Sequence, residues 1–317
     1  MAMDAVVAQS RQMIRVGSKS FAGAARLLPQ SIRESVYQLY AWCRYCDDRI
    51  DLQDLGRGVP AEMESSARDR LELLVRDTKA ALDGEACGDS VFLALQRVVR
   101  QHAIPRCHPF ELLQGFEMDV QERRYYTLDD VLSYCYHVAG VVGVMMAHVM
   151  GAEGNDTLDR AADLGIALQL TNIARDVMDD ASAGRLYLPE SWLAEAGVPI
   201  GQIRERRHRD AVHGVVSRLL KEADRYYRSA GDGVARLPLR SAWSIASARG
   251  VYRDIGSLVL RRGGKAWDTR AVVSKPRKLW RVAGCGLEAL LLKAFRSRAE
   301  PRPREGLWTR PQPDTTD

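Results

Sequence analysis

The amino-acid sequence predicts an all-α protein. Apolar residues recur at spacings of three and four along most of the chain, as where Ile32, Val36, Leu39 and Cys43 share one helix face. Alternating apolar and polar residues, which are typical of a half-buried strand, form no convincing run. These two observations favour one helical domain over residues 1–298.

Nine periodic segments are predicted to be helices. The first covers residues 31–52 and begins after Pro29. The two most apolar segments are separated by Gly151, which ends one helix, and by Asn155 or Asp156, which can cap the next. The remaining segments follow in chain order at 60–82, 90–101, 109–122, 128–150, 157–180, 203–229, 241–260 and 279–295. Residues 299–317 are rich in Pro, Arg, Asp and Thr, so they are predicted to be a disordered tail.

Composition narrows the function classes. The chain has 317 residues, 46% of them hydrophobic, and a net charge of +5, which does not indicate nucleic-acid binding. The pair Cys43 and Cys46 has no second pair to complete a zinc site, and the cysteine usage fits a reducing cytoplasm. The start lacks the apolar run of a signal peptide, and the apolar stretch 138–151 is too short to span a bilayer. We expect a cytoplasmic protein, either soluble or attached peripherally to the inner membrane face.

A first acidic cluster lies at the end of the first predicted helix. Asp47 and Asp51 are four residues apart, so they share one helix face, and that face continues the line of Val36, Tyr40 and Arg44. Two inward carboxylates repel each other and lose hydration, which a divalent cation would relieve. Alone, the pair also fits a solvated helix end, because the neighbouring Asp48 is expected to be exposed.

A second cluster follows in the segment 157–180. Gln169, Asn172, Asp176 and Asp180 have spacings of three, four and four, so all four fall on one face of an otherwise apolar helix. This arrangement is typical of a row of cation ligands. Arg175 lies beside the row and Arg185 follows it in the sequence GRLYLP, and either could contact phosphate.

Two acidic helices that face each other could hold several Mg²⁺ ions and a diphosphate between them. Departure of diphosphate from an allylic carbon leaves a carbocation, and metal ions stabilise the charge that departs. The walls around the cation must then be apolar and aromatic. Aromatic candidates are Phe21, Tyr40, Tyr134 and Tyr252.

Four motifs in this order resemble the squalene/phytoene synthase family, most closely its bacterial phytoene synthase branch. They are SKSF at 18–21, YAWCRYCDDRID at 40–51, YCYHVAGVVG at 134–143 and LQLTNIARDVMDDASAGRLYLP at 168–189. The resemblance covers roughly residues 10–290 and implies an isoprenoid synthase-type helical bundle around one large central cavity.

The resemblance also implies roles for individual residues. The metal ligands, for two or three Mg²⁺ or Mn²⁺ ions, would be Asp47, Asp51, Asn172, Asp176 and Asp180. The substrate-binding residues would be Ser18, Ser20, Phe21, Arg44, Gln169, Arg175, Tyr252 and Arg270. Catalysis would rest on Asp47, Asp51, Tyr40, Arg44, Tyr134 and Asp176, and Asp119 would belong to the cavity.

The implied reaction joins two molecules of geranylgeranyl diphosphate through prephytoene diphosphate to phytoene, in carotenoid biosynthesis, and needs no NADPH. Implied partners are the membrane surface, which the apolar and basic segment 275–298 could contact, and a downstream phytoene desaturase. The alternatives are a dehydrosqualene or squalene synthase that uses farnesyl diphosphate, a terpene cyclase, and a non-catalytic relative that acts as an assembly factor. Intact acidic clusters count against the last.

Overall fold

The structure is a computed structural model that describes residues 4–51, 53–54, 57–58, 66–291 and 302–312. For Lys19, Ser20 and residues 53–54 and 57–58 it describes the backbone alone. In this part of the chain the helices are α1 Ala5–Gly17, α2 Lys19–Ala25, α3 Gln30–Ile50, α4 Ala67–Asp83, α5 Ser90–His102, α6 Cys107–Val120, α7 Leu128–Cys135, α8 Val141–Val149, α9 Asn155–Ser182, α10 Glu190–Glu195, α11 Arg209–Val234, α12 Leu239–Arg262 and α13 Lys275–Leu291. A π-helical segment, Tyr136–Gly140, joins α7 to α8, and 3₁₀ turns cover Ile200–Gln202, Arg206–His208 and Gly263–Lys265.

The predicted all-α class is confirmed. Each predicted helix has a counterpart, and α1, α2 and the short α10 were not predicted. Strand structure in the described residues is limited to an antiparallel pair, β1 Gln53–Asp54 and β2 Arg57–Gly58. The predicted segment 203–229 differs, because 3₁₀ turns precede α11 and the regular helix begins only at Arg209.

Helix α9 is the central element of the bundle. It packs against α8, the π-helical segment, α11 and α12, which explains why its sequence is apolar on most sides. Two glycines set the closest approach. A Cβ at Gly165 would lie 2.2 Å from the carbonyl oxygen of Ala139, and one at Gly143 would lie 2.4 Å from that of Ala161. The small residues of the segment 138–151 therefore serve close helix packing.

The helix that runs through Leu128–Val149 is the one helix of the described chain that is long and apolar enough to cross a membrane by length and composition. Its most apolar window is 61% buried inside the protein. The apolar character of this helix is thus explained by its place in the core.

The C-terminal residues differ from the expectation of a disordered tail. Residues 302–312 lie on the bundle, where Arg310 is buried and donates to Asp159 at 2.6 Å. The composition is poor in apolar residues, but its arginines find buried carboxylates on α9, and Trp308 finds an aromatic partner. Residues 299–301 and 313–317 lie outside the described part of the chain.

Candidate active site

A cavity of about 500 Å³ lies inside the bundle, with α9 along one side. One end carries polar side chains from α3, α6 and α9, and the remainder is mostly apolar, with Thr157 and Arg160 of α9 as polar exceptions. Predicted site residues that line it are Ser18, Phe21, Tyr40, Arg44, Asp47, Asp119, Tyr134, Gln169, Asn172, Arg175, Tyr252 and Arg270. Asp51, Asp176 and Asp180 belong to the same two rows, and the side chain of Ser20 lies outside the described atoms.

The first row projects from the C-terminal end of α3. Arg44 donates to Asp47 at 3.0 Å and to Asp48 at 2.6 Å, so it is clamped between two carboxylates. Asp48, expected to be exposed, is buried, because it binds Arg44 on the inner side of the helix. Asp47 keeps 44% of its side-chain surface accessible, and it lines the cavity. The carboxylate is nevertheless enclosed by the surrounding protein and loses hydration. This desolvation, together with the nearby Asp51, raises the pKa of Asp47 to about 6.

The second row lies on α9. Asn172 donates to Gln169 at 3.2 Å, and one helical turn further on Arg175 grips Asp176 with two bonds of 2.8 and 2.5 Å. Burial acts to raise the pKa of Asp176, but the bonds from Arg175 outweigh it and lower the pKa overall. Among the described residues no arginine side chain is hydrogen-bonded to the Asp180 carboxylate, and burial and the neighbouring Asp176 raise its pKa to about 7. The two carboxylates of one row therefore differ in pKa, and Asp176 is the stronger acid.

Two arginines that follow α9 and α12 in the chain contact the acidic rows. Arg185, just beyond α9, donates to Asp51 of the first row at 2.5 Å. Arg270, beyond α12, donates to Asp176 of the second row at 3.1 Å. Asp47 of the first row and Asn172 of the second line the same cavity.

A group of tyrosines surrounds Asp119 at the end of α6. Tyr134 and Tyr187 donate to its two carboxylate oxygens at 3.1 and 2.9 Å, and their rings stack with centroids 4.7 Å apart. Burial raises the pKa of Asp119 to about 6. Tyr125 completes the group, with its ring centroid 5.2 Å from that of Tyr134. Sequence reasoning missed Tyr125 and Tyr187, although Tyr187 lies in the motif GRLYLP that drew attention to Arg185.

Aromatic and small residues of α1, α2 and α3 shape another part of the cavity wall. Phe21 of α2 stacks on Tyr40 of α3 with centroids 5.9 Å apart, and burial raises the pKa of Tyr40 to about 12. Gly17 allows this arrangement, because a Cβ there would lie 2.6 Å from the Tyr40 hydroxyl. Ser18 caps α2 by accepting a hydrogen bond from the Phe21 amide at 3.2 Å. A neutral aromatic surface therefore continues directly from the polar end of the cavity.

The donor set fits a hard divalent cation. The two rows carry five oxygen-bearing side chains, Asp47, Asp51, Asn172, Asp176 and Asp180, and Mg²⁺ and Mn²⁺ prefer such oxygen ligands. The buried Oδ1 of Asn172 has no hydrogen-bond partner among the described residues, which is costly unless a ligand takes that place.

Another group of potential ligands lies elsewhere, at the beginning of α6. Polar atoms of Cys107, His108 and Glu111 lie within 4.8 Å of one another. His108 is eleven residues before Asp119 on the same helix, so it lies about 16 Å away along the axis. Glu111 is hydrogen-bonded to His108 at 2.8 Å and accepts from Tyr136 at 2.9 Å, which accounts for the group as buried polar packing.

An all-helical bundle with two acid-rich helices at the polar end of an apolar cavity defines a metal-dependent enzyme of the isoprenoid synthase type. Comparison with known proteins specifies the family. The profile of the squalene/phytoene synthase family matches residues 14–277, and the chain belongs to that family.

Individual relatives extend over nearly the full chain. The chain is 48% identical to a 15-cis-phytoene synthase of Pantoea ananas over 95% of its length and 96% of the relative, and 47% identical to one of Paracoccus sp. over 98% and 99%. Among solved structures it is similar to a dehydrosqualene synthase in complex with ligand, with a TM-score of 0.79 and 28% identity over 92% of this chain and 97% of that one. The predicted fold class and family are thereby confirmed.

Proposed function

We propose that this enzyme condenses two molecules of geranylgeranyl diphosphate to phytoene, and thus acts in carotenoid biosynthesis. The observation that carries the proposal is the match in length and sequence to relatives named 15-cis-phytoene synthase, at 47–48% identity across at least 94% of both chains. The site supports it, because acidic rows suited to diphosphate-bound metal lie at one end of an apolar cavity.

Two or three Mg²⁺ or Mn²⁺ ions would be held by Asp47, Asp51, Asn172, Asp176 and Asp180. When bound, such ions neutralise a diphosphate and make it a better leaving group. Arg44, Arg175, Arg185 and Arg270 already lie at these carboxylates, and a planar guanidinium can grip a diphosphate oxygen pair with two bonds.

The cavity walls would then stabilise the carbocation that remains and protect it from water. The face of Tyr40, stacked on Phe21, and those of Tyr134 and Tyr252 line the cavity, and aromatic faces attract cations. Apolar side chains exclude the water that would quench the cation. The first condensation gives prephytoene diphosphate after loss of a proton, and a second ionisation, rearrangement and proton loss give phytoene without a reductant.

Incubation of the purified protein with Mg²⁺ and either geranylgeranyl or farnesyl diphosphate tests the assignment. We expect phytoene from the longer substrate and a much lower rate with the shorter one. Asp47→Ala serves as the inactive control. A product from farnesyl diphosphate alone would make the protein a dehydrosqualene synthase, the activity named for the similar solved structure.

We further propose that α13 attaches the enzyme to the cytoplasmic face of an anionic membrane. Trp280 is 80% exposed and Leu279 71%, and Leu287 is also exposed. Lys275 and Lys278 on the same helix supply positive charge. An amphipathic helix with exposed aromatic and basic residues suits the lipid interface, where so apolar a product would be released to a phytoene desaturase.

Co-sedimentation with vesicles tests this attachment. We expect binding to vesicles that contain phosphatidylglycerol, weaker binding to phosphatidylcholine alone, and a loss of at least fivefold for the double variant Leu279→Ser with Trp280→Ser. The matched control is Tyr126→Ser, an exposed aromatic residue remote in sequence from α13. Equal binding of wild type and the double variant would refute the role of α13.

A further inference from the structure

Residues 302–312 form an extended segment on the outside of the bundle, here called the C-terminal strap. It crosses the second half of α11 and the first half of α9. Arg302 of the strap donates to Asp232 of α11 at 2.9 Å, and Arg304 donates to Asp163 of α9 at 2.7 and 2.9 Å. The strap thus joins two helices that also line the cavity.

The charges that hold the strap are unusually buried. Asp163 is 0% exposed and Arg310 is 2% exposed, and Arg310 donates to Asp159 at 2.6 Å. A buried carboxylate is costly unless a cation and hydrogen bonds compensate it. Arg304 and Arg310 supply this positive charge to Asp163 and Asp159 of α9. The strap is therefore an integral part of the folded structure.

A tryptophan of the strap reaches a third element. The ring of Trp308 lies 5.0 Å from that of Tyr136, and its backbone amide donates to the hydroxyl of Tyr226 at 3.0 Å. Tyr136 is fully buried and is the first residue of the π-helical segment. Val138 and Ala139 of that segment line the cavity. Trp308 therefore supports the cavity wall from behind.

The strap also contacts a side chain that lines the cavity. Arg160 of α9 donates to the carbonyl oxygen of Arg302 at 2.6 Å and to the hydroxyl of Ser229 at 3.1 Å. Arg160 lies sixteen residues before Asp176 on the same helix, so about 24 Å separates them along the axis. The metal-binding end of the cavity and the end beside the strap are therefore opposite ends.

We propose that the C-terminal strap fixes the far wall of the cavity and so sets the length of prenyl chain that the enzyme prefers. Trp308 and Arg160 act as positioning residues, since the strap acts on the cavity through Tyr136 and Arg160. A prenyl chain bound by its diphosphate at the acidic rows must extend toward this wall. The last isoprene unit of a C20 chain reaches further along the cavity than that of a C15 chain, so a relaxed wall penalises the longer substrate more. This inference rests on the proposed prenyl diphosphate chemistry.

The test compares kcat/KM for geranylgeranyl and farnesyl diphosphate at saturating Mg²⁺. For Trp308→Ala we expect kcat/KM for geranylgeranyl diphosphate, divided by kcat/KM for farnesyl diphosphate, to fall about tenfold. This is the scale at which an apolar pocket distinguishes small differences in chain length. Trp308→Phe, which retains an aromatic ring against Tyr136, should stay within twofold of wild type. A purely structural role would lower both values together and leave the ratio unchanged.

Two shortened chains complete the test. A chain that ends at residue 312 keeps the strap and should match wild type, whereas one that ends at residue 301 lacks it and should lose at least as much selectivity as Trp308→Ala. If the shorter chain does not fold, Trp308→Ala alone decides. A ratio unchanged within twofold in Trp308→Ala overturns the inference. A wild type that makes no product from either substrate overturns the proposed function instead.

Discussion

Replacement of Asp180 by asparagine should stabilise the metal-free protein while it impairs the enzyme. Burial and the adjacent Asp176 raise the pKa of Asp180 from 3.8 to about 7. Because the folded-state pKa lies above the unfolded one, the ionised carboxylate destabilises the fold. This penalty is complete above pH ~7 and disappears as the pH falls toward ~4.

The size of the effect follows from the pKa. Each pH unit corresponds to about 1.4 kcal/mol, so the difference sets an upper limit of roughly 4 kcal/mol. Partial exposure to solvent reduces the gain to about 1–2 kcal/mol. For 317 residues the unfolding entropy is about 0.7 kcal/mol per kelvin, so the melting temperature of Asp180→Asn should rise by ~2 °C.

Thermal melts followed by circular dichroism in EDTA at pH 8 measure this gain. The matched control is Asp179→Asn, an exposed neighbour on the same helix, which should melt with the wild type. With Mg²⁺ and inorganic diphosphate the order should reverse, because the variant has lost a ligand. If Asp180→Asn melted below the wild type in EDTA, the carboxylate would be a stabilising native group and the argument for a cation-dependent row would fail.

Three further predictions concern the site and its packing. Asp47→Ala should abolish turnover with an unchanged helical circular dichroism spectrum. In the wild type, the Mg²⁺ concentration for half-maximal rate should rise below pH ~6, because Asp47 becomes protonated there. A half-maximal Mg²⁺ concentration that stays constant from pH 5.5 to 8 would contradict this. Arg185→Ala should lower kcat/KM about 10–100-fold through loss of a charged hydrogen bond, with little change in melting temperature, and unchanged kinetics would remove it from the site. Gly165→Ala should lower the free energy of unfolding in urea by about 1–3 kcal/mol, because its Cβ would lie 2.2 Å from a backbone oxygen. The control Gly214→Ala, with open space around its Cβ, should be neutral or stabilising. Equal urea midpoints for the two variants would show that the helices can separate freely.

Much of the site could be predicted because helix periodicity is a local property. Spacings of four place Asn172, Asp176 and Asp180 on one face of α9 whatever surrounds the helix. The same spacing placed Asp47 and Asp51 together at the end of α3. The types of side chain in these rows then indicated a hard cation, since oxygen ligands are what such ions prefer.

Contacts between distant segments could not be predicted in this way. The exposure expected for Asp48 was wrong, because its surroundings depend on how Arg44 turns between α3 and the cavity. Tyr187 lies 68 residues from Asp119 along the chain, and no periodicity connects them. The docking of residues 302–312 on the bundle could not be predicted from their composition for the same reason. A charged segment becomes ordered only when the fold presents buried partners of opposite charge.

The sequence alone thus determined the helical class, the two acidic rows and the metal chemistry that they suit, since each depends on residues within a few turns of one helix. The tertiary structure decided the cavity between those rows, the tyrosines around Asp119 and the strap on α9. These features arise where segments far apart in sequence meet, and their energies depend on burial and on partners that only the folded chain brings within reach.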